Sequence, residues 1–421
     1  MVALDPPLAG VRVLELAGVE GQYCGKLLGD MGADVIKVEP PAGDGARRLG
    51  PFAGDVPDIN RSLPFWYHNT SKRGITLNIG QPAGQALFRR LAACADVILE
   101  SSSPGYLASV NLGFDALSQV RSELILVSLT PFGQTGPWSG FRSSDIVSLA
   151  LGGTMAMNGY DDLAGSPPIR PDGDHAFLIG SEYAFIAVLL ALIERQKSQQ
   201  GQWLDVSIHE ACACTTEGAF ANWEYQHRVV RRQTARHAQA NSTAPWQHRT
   251  VDGRYVNLMG GGIPRIFSSW RPLVAWMTEA GKGQDLTEER YESVVHRSPT
   301  QRTDPDSLHV LEVLGSFVRS LPAEEVYRQG QVRRLPWAIV RSPEENLDDP
   351  HWRERGFLVD IAQPQIGRHV TVPGAPYRFS RTTWRIGRRA PLLGEHNVEV
   401  YQTELGLSRD ELRGLFEQGV I

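Results

Sequence analysis

Cysteine is scarce in this chain. Its four thiols, Cys24, Cys94, Cys212 and Cys214, are scattered over 421 residues. That argues against a disulfide framework and fits a reducing, cytoplasmic setting. Cys212-x-Cys214 has no second Cys or His pair at zinc-like spacing, so it reads as two packed helix residues and no metal site is expected. A strong charge of either sign is also missing. The formal net charge is -5, which gives no reason to expect nucleic acid or an anionic membrane as partner. Any phosphorylated ligand then needs a local basic patch. Long hydrophobic runs are absent as well. The longest, Ala184–Ile193, is too short to span a bilayer and ends in Glu194 and Arg195. The N-terminus shows no basic stretch followed by an apolar one, so no secretory signal is expected. There is no internal repeat and no low-complexity tract.

What is present is the composition of a soluble globular protein, 42% apolar and 21% charged. The length exceeds one ordinary core, so two domains are expected. Val11–Leu16 reads as a buried parallel strand, Ala17–Gly25 as a Gly-rich turn, Tyr23–Met31 as a helix and Asp34–Val38 as a second strand. The alternation continues with extended segments at Gly74–Leu77, Val97–Leu99, Leu124–Leu129 and Trp203–Ile208. Helical patterns fall at Ala83–Ala93, Phe114–Val120 and Ser181–Lys197. This order predicts an α/β fold with a Rossmann-like, doubly wound sheet, whose ligands bind beyond the carboxyl ends of the strands. After Phe220 a polar, Arg-rich stretch leads into a strand at Tyr255–Met259 and helices at Leu273–Ala280 and Leu308–Ser320, suited to a smaller α+β domain. From about Trp337 the chain is Pro- and Arg-rich with little periodicity. The expected division is residues 1–220, 221–335 and 336–421, the last being a return segment that completes the large domain.

Several residues could carry chemistry. Gly18-x-x-Gly21-x-x-x-Gly25 is not the dinucleotide pattern, and these glycines suit close helix–strand packing or approach of a ligand to the backbone. Lys37, Arg47, Arg48, Lys72 and Arg73 cluster after strands, where they could bind phosphates or be solvated loop charges. Gly260–Gly261–Gly262 reads equally as a turn or as a mobile flap over an intermediate. His396 reads as a packing or surface residue, and Asp145 as a helix N-cap. Trp66, Tyr67, Phe132 and Trp138 are read as core residues, with an aromatic acceptor pocket as the alternative.

A set of ordered motifs resembles the family III CoA-transferases. They are Gly32–Pro40 with Gly43–Asp44 and Arg47; Asn69–Leu77; Ala95–Val97; Pro104–Gly105; Phe132–Pro137; Gly201–Ser207; and Pro391–His396. The resemblance covers nearly the whole chain. It implies two subunits threaded through each other as interlocked rings. It also implies transfer of CoA between an acyl-CoA and a carboxylic acid acceptor, with CoA a substrate and no permanently bound cofactor. In such enzymes an aspartate attacks the thioester and forms a mixed anhydride. Carried over by position, Lys72 and the Gly260–Gly262 loop match elements near CoA, and Lys37 and Arg47 match basic positions near its nucleotide end. Arg73 adjoins Lys72 in the same motif.

The departures are specific. Counting back from Arg195, the nucleophile position holds Phe177, or Ala176 if the register slips by one. The asparagine usual after the fourth strand is replaced by Ser101 or Ser102, and a common arginine falls at Ser109. A racemase-type histidine before Asp145 is replaced by Ser144. Asp174 is the one candidate substitute acid, Glu182 being turned away around the helix. The expected partner is a homologous family III subunit that carries the aspartate, as in benzylsuccinate CoA-transferases; the alternatives are a homodimeric transferase, or a CoA-ester lyase or isomerase of the same fold, using Asp174 or another acid, and a non-catalytic CoA-ester-binding or structural subunit.

Overall fold

The computed structural model describes residues 5–265 and 267–421. The chain divides into two compact units. The first comprises residues 1–152, 171–215 and 349–421, and the second residues 153–170 and 216–348.

The first unit is built on six parallel strands: β1 (Arg12–Leu16), β2 (Asp34–Glu39), β3 (Lys72–Thr76), β4 (Val97–Glu100), β5 (Ile125–Thr130) and β6 (Trp203–Ser207). Their order is β3-β2-β1-β4-β5-β6. The expected extended segments are all present, with ends shifted by a residue or two. The interior strands read as continuous apolar runs because both faces are covered. Val13, Leu14, Val97, Ile98, Ile125 and Val127 are all buried. Helices α1 (Gln22–Asp30), α2 (Leu63–His68), α3 (Pro82–Ala92), α4 (Tyr106–Ser109), α5 (Phe114–Ser118), α6 (Asp145–Leu151), α7 (His175–Ser198) and α8 (Ile208–Cys214) fill the connections. Pro82 sits in the first turn of α3, where its missing N–H costs no hydrogen bond. The same helix buries Leu87, Phe88 and Leu91 at helical spacing.

The second unit holds α9 (Glu217–Gln226), β7 (Gln247–Arg249), β8 (Tyr255–Leu258), α10 (Trp270–Glu279), α11 (Glu289–Glu292), α12 (Pro305–Arg319), α13 (Ala323–Val332) and β9 (Trp337–Ile339). Its strands form an antiparallel sheet in the order β7-β8-β9. Its core gathers Trp270, Leu273, Met277, Leu314, Phe317 and Trp337. Residues 153–170 lie within the N-terminal span expected from sequence, yet they pack with this unit. Asp161 and Thr234 exchange hydrogen bonds of 3.0 and 2.7 Å, and Arg232 donates to the Ser166 carbonyl at 2.6 Å.

The unperiodic C-terminal stretch contains α14 (Pro350–Glu354), the hairpin β10 (Leu358–Gln363) and β11 (Arg368–Pro373), and α15 (Arg409–Glu417). Ser408 and Glu411 form a reciprocal capping box that starts α15. Val400, Tyr401, Val420 and Ile421 join the core of the parallel sheet. His396 helps dock this segment: its Nδ1 accepts from Gly74 N at 3.0 Å.

One strand residue breaks the apolar rule. Glu15 in β1 is fully buried, and its carboxylate lies where a side chain on α1 would otherwise be. A Cβ on Gly25 would stand 1.6 Å from Glu15 Oε2. Gly25 is therefore the residue that lets a charged group lie between β1 and α1. Gly25→Ala is expected to destabilise the chain by about 2–4 kcal/mol, through overpacking and a displaced ion pair. Denaturant unfolding monitored by circular dichroism checks this, and an unchanged midpoint contradicts it.

Candidate active site

The sheet reverses its winding between β1 and β4, and that point is where doubly wound sheets place ligands. Two turns meet there. Gly18 N donates to Ser101 Oγ at 2.9 Å, tying the turn after β1 to the turn after β4. Glu20 carries a carboxyl group at this place, with Oε2 3.5 Å from Ser101 Oγ. The Glu20 carbonyl accepts from Ser181 Oγ of α7 at 3.1 Å. Burial raises the Glu20 pKa, and the nearby charges of Asp44 and Asp174 raise it further. Glu20 is not legible in the sequence, because a single glutamate in a turn belongs to no spacing pattern.

Directly below lies a network of buried charge. Lys37 Nζ is 3.1 Å from Glu15, 2.9 Å from the Ala17 carbonyl and 3.5 Å from Asp44. Lys72 Nζ is 2.7 Å from the same Glu15 carboxylate and donates to the Gln22 carbonyl and to Asn69 Oδ1 at 2.7 and 2.9 Å. Arg47 grips Glu39 through Nε and Nη2 at 2.6 and 2.7 Å and stacks on Phe65 at 4.0 Å. Three cations thus share three carboxylates, those of Glu15, Glu39 and Asp44. Lys37 and Lys72 are 0% exposed and Arg47 1%. The family resemblance sets these positions near CoA; their charged atoms point inward to these partners. Arg73 is 5% exposed. It pairs with Asp34, Glu399 and Glu404, holding the C-terminal segment to β3.

The start of α7 is the other expected centre. Asp174 immediately precedes the helix and is half-buried, His175 is exposed, Ala176 is buried and Phe177 is half-buried. Asp145 caps a helix, but not its own. Its Oδ1 accepts from Ala176 N at 2.7 Å, so it holds the first turn of α7. Glu182 is exposed on α7.

A cavity of about 280 Å³ lies beside β4, β5 and β6, lined by Glu100, Ser128, Gln134, Trp203 and apolar residues including Leu126 and Phe114. Burial raises the Glu100 pKa. Of the four aromatic residues singled out, Trp66 is buried with Phe65 and Ala390. Phe132 and Trp138 instead form a cluster with Phe141 and His209. Among the described residues no three His, Cys, Asp or Glu side chains gather as a metal site.

The glycine loop belongs to the second unit. Gly260, Gly261 and Gly262 have φ of 68°, 75° and 93°, a region open to glycine without strain. All three are buried. A Cβ on Gly262 would meet Leu314 at 2.3 Å and one on Gly261 would meet Leu311 at 2.8 Å. Arg302 Nη1 donates to the Gly260 carbonyl at 2.6 Å.

Residues 8–397 match the sequence pattern of CoA-transferase family III. The chain belongs to that family. It is 32% identical over 414 residues to the succinyl-CoA:(R)-benzylsuccinate CoA-transferase subunit BbsE of Thauera aromatica, covering 97% of each chain. It is 30% identical over 417 residues to the succinyl-CoA–D-citramalate CoA-transferase of Chloroflexus aurantiacus, covering 99% of this chain and 98% of that one. Among solved structures it resembles a CAIB/BAIF family protein from Brucella suis with a TM-score of 0.78 and 27% identity, covering 97% of this chain and 100% of that one. In this family III chain the order β3-β2-β1-β4-β5-β6 brings the motif strands β2 and β3 beside β1, where Lys37 and Lys72 turn inward to Glu15.

The charge network has a pH signature. Burial pushes the Lys72 ammonium down to about 8, against the pull of Glu15 and helped by repulsion from Lys37. Lys37 also suffers burial, but Asp44, Glu15 and Glu39 outweigh it and raise its pKa. For Lys72 the unfolded chain holds its proton more tightly than the folded one. Its contribution to stability therefore rises with pH from about 8 toward the ordinary lysine value of 10.5. The Lys37 contribution has the opposite sign; it is complete below its unfolded pKa and fades only as pH climbs toward the raised folded value. Relative to Lys72→Met, the wild type is expected to gain stability on the order of 2 kcal/mol between about pH 8 and about pH 10. Urea titrations at stepped pH measure this, and parallel curves for the two proteins refute it.

Proposed function

We propose that this chain is one half of a CoA-transferase acting between a dicarboxylyl-CoA and a free dicarboxylic acid. In this reading a homologous subunit supplies the nucleophilic aspartate. The observation that carries it is the first turn of α7. Ala176 and Phe177 stand where the family resemblance puts the nucleophile, and the Asp145 carboxylate that reaches that turn is engaged with Ala176 N. Two further facts support it. The relative BbsE is named as a subunit, and α7 presents an exposed apolar stripe of Tyr183, Ile186, Leu190 and Ile193 at helical spacing. That stripe suits coverage by the second subunit of an interlocked pair. The acid class follows the relatives, whose named substrates succinate, benzylsuccinate and citramalate each carry two carboxylates.

The chemistry is nucleophilic catalysis by a carboxylate. The aspartate attacks the thioester carbonyl, the C–S bond breaks, and CoA leaves as the thiolate. The thiolate then attacks the aspartyl carbonyl of the anhydride, releasing the first acid and leaving an aspartyl-CoA thioester. The acceptor carboxylate attacks that thioester and forms a second anhydride. The returning thiolate attacks its acceptor carbonyl, which yields the new acyl-CoA and restores the aspartate. This chain contributes the rigid turns after β1 and β4. Its charge network fixes the turn after β1, and the bond from Gly18 N to Ser101 Oγ ties the turn after β4 to it, so the chain acts on CoA binding through position.

Glu20 favours a second reading. A carboxyl group with a raised pKa at the reversal point of the sheet has the chemistry of a substitute nucleophile. Asp174, a weaker candidate at the start of α7, lies near it. The two readings separate in one assay. The purified chain, given succinyl-CoA and free dicarboxylic acids, is expected to show no CoA exchange alone. Exchange is expected when a homologous aspartate-bearing subunit is added, and Glu20→Gln is expected to change its rate by less than about tenfold, as for a group outside the bond-making step. Robust exchange by the lone chain, abolished in Glu20→Gln, overturns the first reading and installs the second; abolition in Asp174→Ala installs Asp174 instead.

A further inference from the structure

One buried acid of the large unit stands outside the charge network. Glu100 ends β4 after the apolar run Val97, Ile98 and Leu99, and it is 3% exposed. Its Oε2 accepts from Ser102 N at 2.6 Å. Burial opposes its ionisation, hydrogen bonds from Ser128 and Ser102 favour it, and Asp205 of β6 opposes it again. Every donor here is neutral, and among the described residues Glu100 forms no ion pair. A carboxylate taken out of water without a cation keeps an unmet attraction for one.

The sheet places this acid beside open space. Strand pairing sets Glu100 opposite Ser128 and Leu126 opposite Trp203, so these four side chains share one face. The cavity of about 280 Å³ lies against that face, with all four among its walls. Trp203 Nε1 donates to Ser128 Oγ at 3.0 Å, which fixes the indole on the edge strand. Phe114 and Leu107 supply further apolar wall. The size is near the roughly 300 Å³ at which ligand pockets begin, enough for one ring or a short chain. Its charge has one sign. No Lys, Arg or His lines it, and the other ionisable residue of its wall, Asp115, is a second acid. Arg89 approaches the rim, where its Nη2 donates to the Asn111 carbonyl at 2.9 Å. Carboxylic acids, CoA and acyl-CoA esters are all anions, so this cavity repels every reactant of the proposed transfer.

We infer that the cavity is a separate binding site for a small primary amine, with the ammonium on the Glu100 carboxylate and the apolar part against Trp203 and Phe114. An ammonium makes charge-assisted hydrogen bonds to a carboxylate, and aromatic faces attract the same charge. The inference goes beyond the transferase reading and does not depend on it. The site has a route to the reversal point of the sheet. Glu100 holds Ser102 N, and the adjoining Ser101 accepts from Gly18 N. An occupant is thus placed to act on the turns after β1 and β4 without touching CoA.

Calorimetry on the full chain at neutral pH tests this with three probes of similar shape: 2-phenylethylamine, 2-phenylethanol and 3-phenylpropanoate. The amine is expected to bind roughly 10- to 100-fold more tightly than the alcohol, the range for hydrogen bonds to a charged group. The carboxylate probe is expected not to bind. Glu100→Gln keeps the size of the side chain and an oxygen for Ser102 N, and is expected to bring the amine-to-alcohol ratio close to one. Should that variant fail to fold, Trp203→Leu at the half-exposed wall carries the test, with the amine weakened on the order of 10-fold and the alcohol less. No binding of 2-phenylethylamine by the wild type overturns the inference. So does an alcohol or a carboxylate that binds as tightly as the amine, or a ratio unchanged in both variants. Competitive displacement of the amine by succinyl-CoA overturns it too, since the two sites would then be one.

Discussion

One carboxylate shared between two ammonium groups organises the large unit. Glu15 lies inside the sheet, and Lys37 from β2 and Lys72 from β3 both reach it. A single negative charge cannot satisfy two buried positive charges. Lys37 is completed by Asp44 and the Ala17 carbonyl, and Lys72 by neutral oxygens from Gln22 and Asn69. Each of these partners lies in a turn or helix beyond the strands. The network therefore fixes the turn after β1, the segment holding Asp44 and the end of α2 relative to one another. Removing any one member strands a buried charge, which costs far more than the intact network contributes. Such an arrangement is poor as a source of stability and effective as a means of fixing position.

The same network shows where legibility in the sequence stops. The strands were legible because a continuous apolar run between Gly-rich turns fits little besides a buried strand. The direction of a charged side chain is not encoded that way. Lys37 at the end of a strand gives the same pattern whether its ammonium meets a phosphate outside or a glutamate inside. Only the pairing of β1 with β2 brings Glu15 opposite Lys37. Gly25 shows the converse. Its spacing pointed to close packing, and what comes close is the Glu15 carboxylate, from a residue with no local relation to it. Residues 153–170 were placed with the N-terminal span for a similar reason, since the Asp161–Thr234 bonds that tie them to the second unit span more than seventy positions.

Asp145 and Glu20 illustrate two ways in which a carboxyl group near an expected active site can differ in use. Asp145 accepts a hydrogen bond from the backbone of α7, so its charge is spent on holding that helix end. The Glu20 carboxyl approaches Ser101 at the limit of hydrogen-bond distance, and neighbouring negative charges work against its ionisation. A carboxylate whose charge is poorly matched has more to gain from reaction or from a proton than one already matched. Distance from the family's nucleophile position is therefore a weaker guide to chemistry than the bonds each acid already makes.

The glycine loop of the second unit follows the same logic. Three consecutive residues with positive φ suggest mobility, but mobility requires that the loop have somewhere to go and little to lose. Here the faces of Gly261 and Gly262 lie against Leu311 and Leu314 of α12, and the Gly260 carbonyl is held by Arg302. At Gly261 and Gly262 glycine is needed on two counts, since a Cβ would collide with α12 and φ lies in the left-handed region; at Gly260 the φ alone requires it. The packing of this loop against α12 and its bond to Arg302 were not legible in the sequence, because three glycines in a row fit a turn and a flap equally well and the residues they meet lie more than forty positions away.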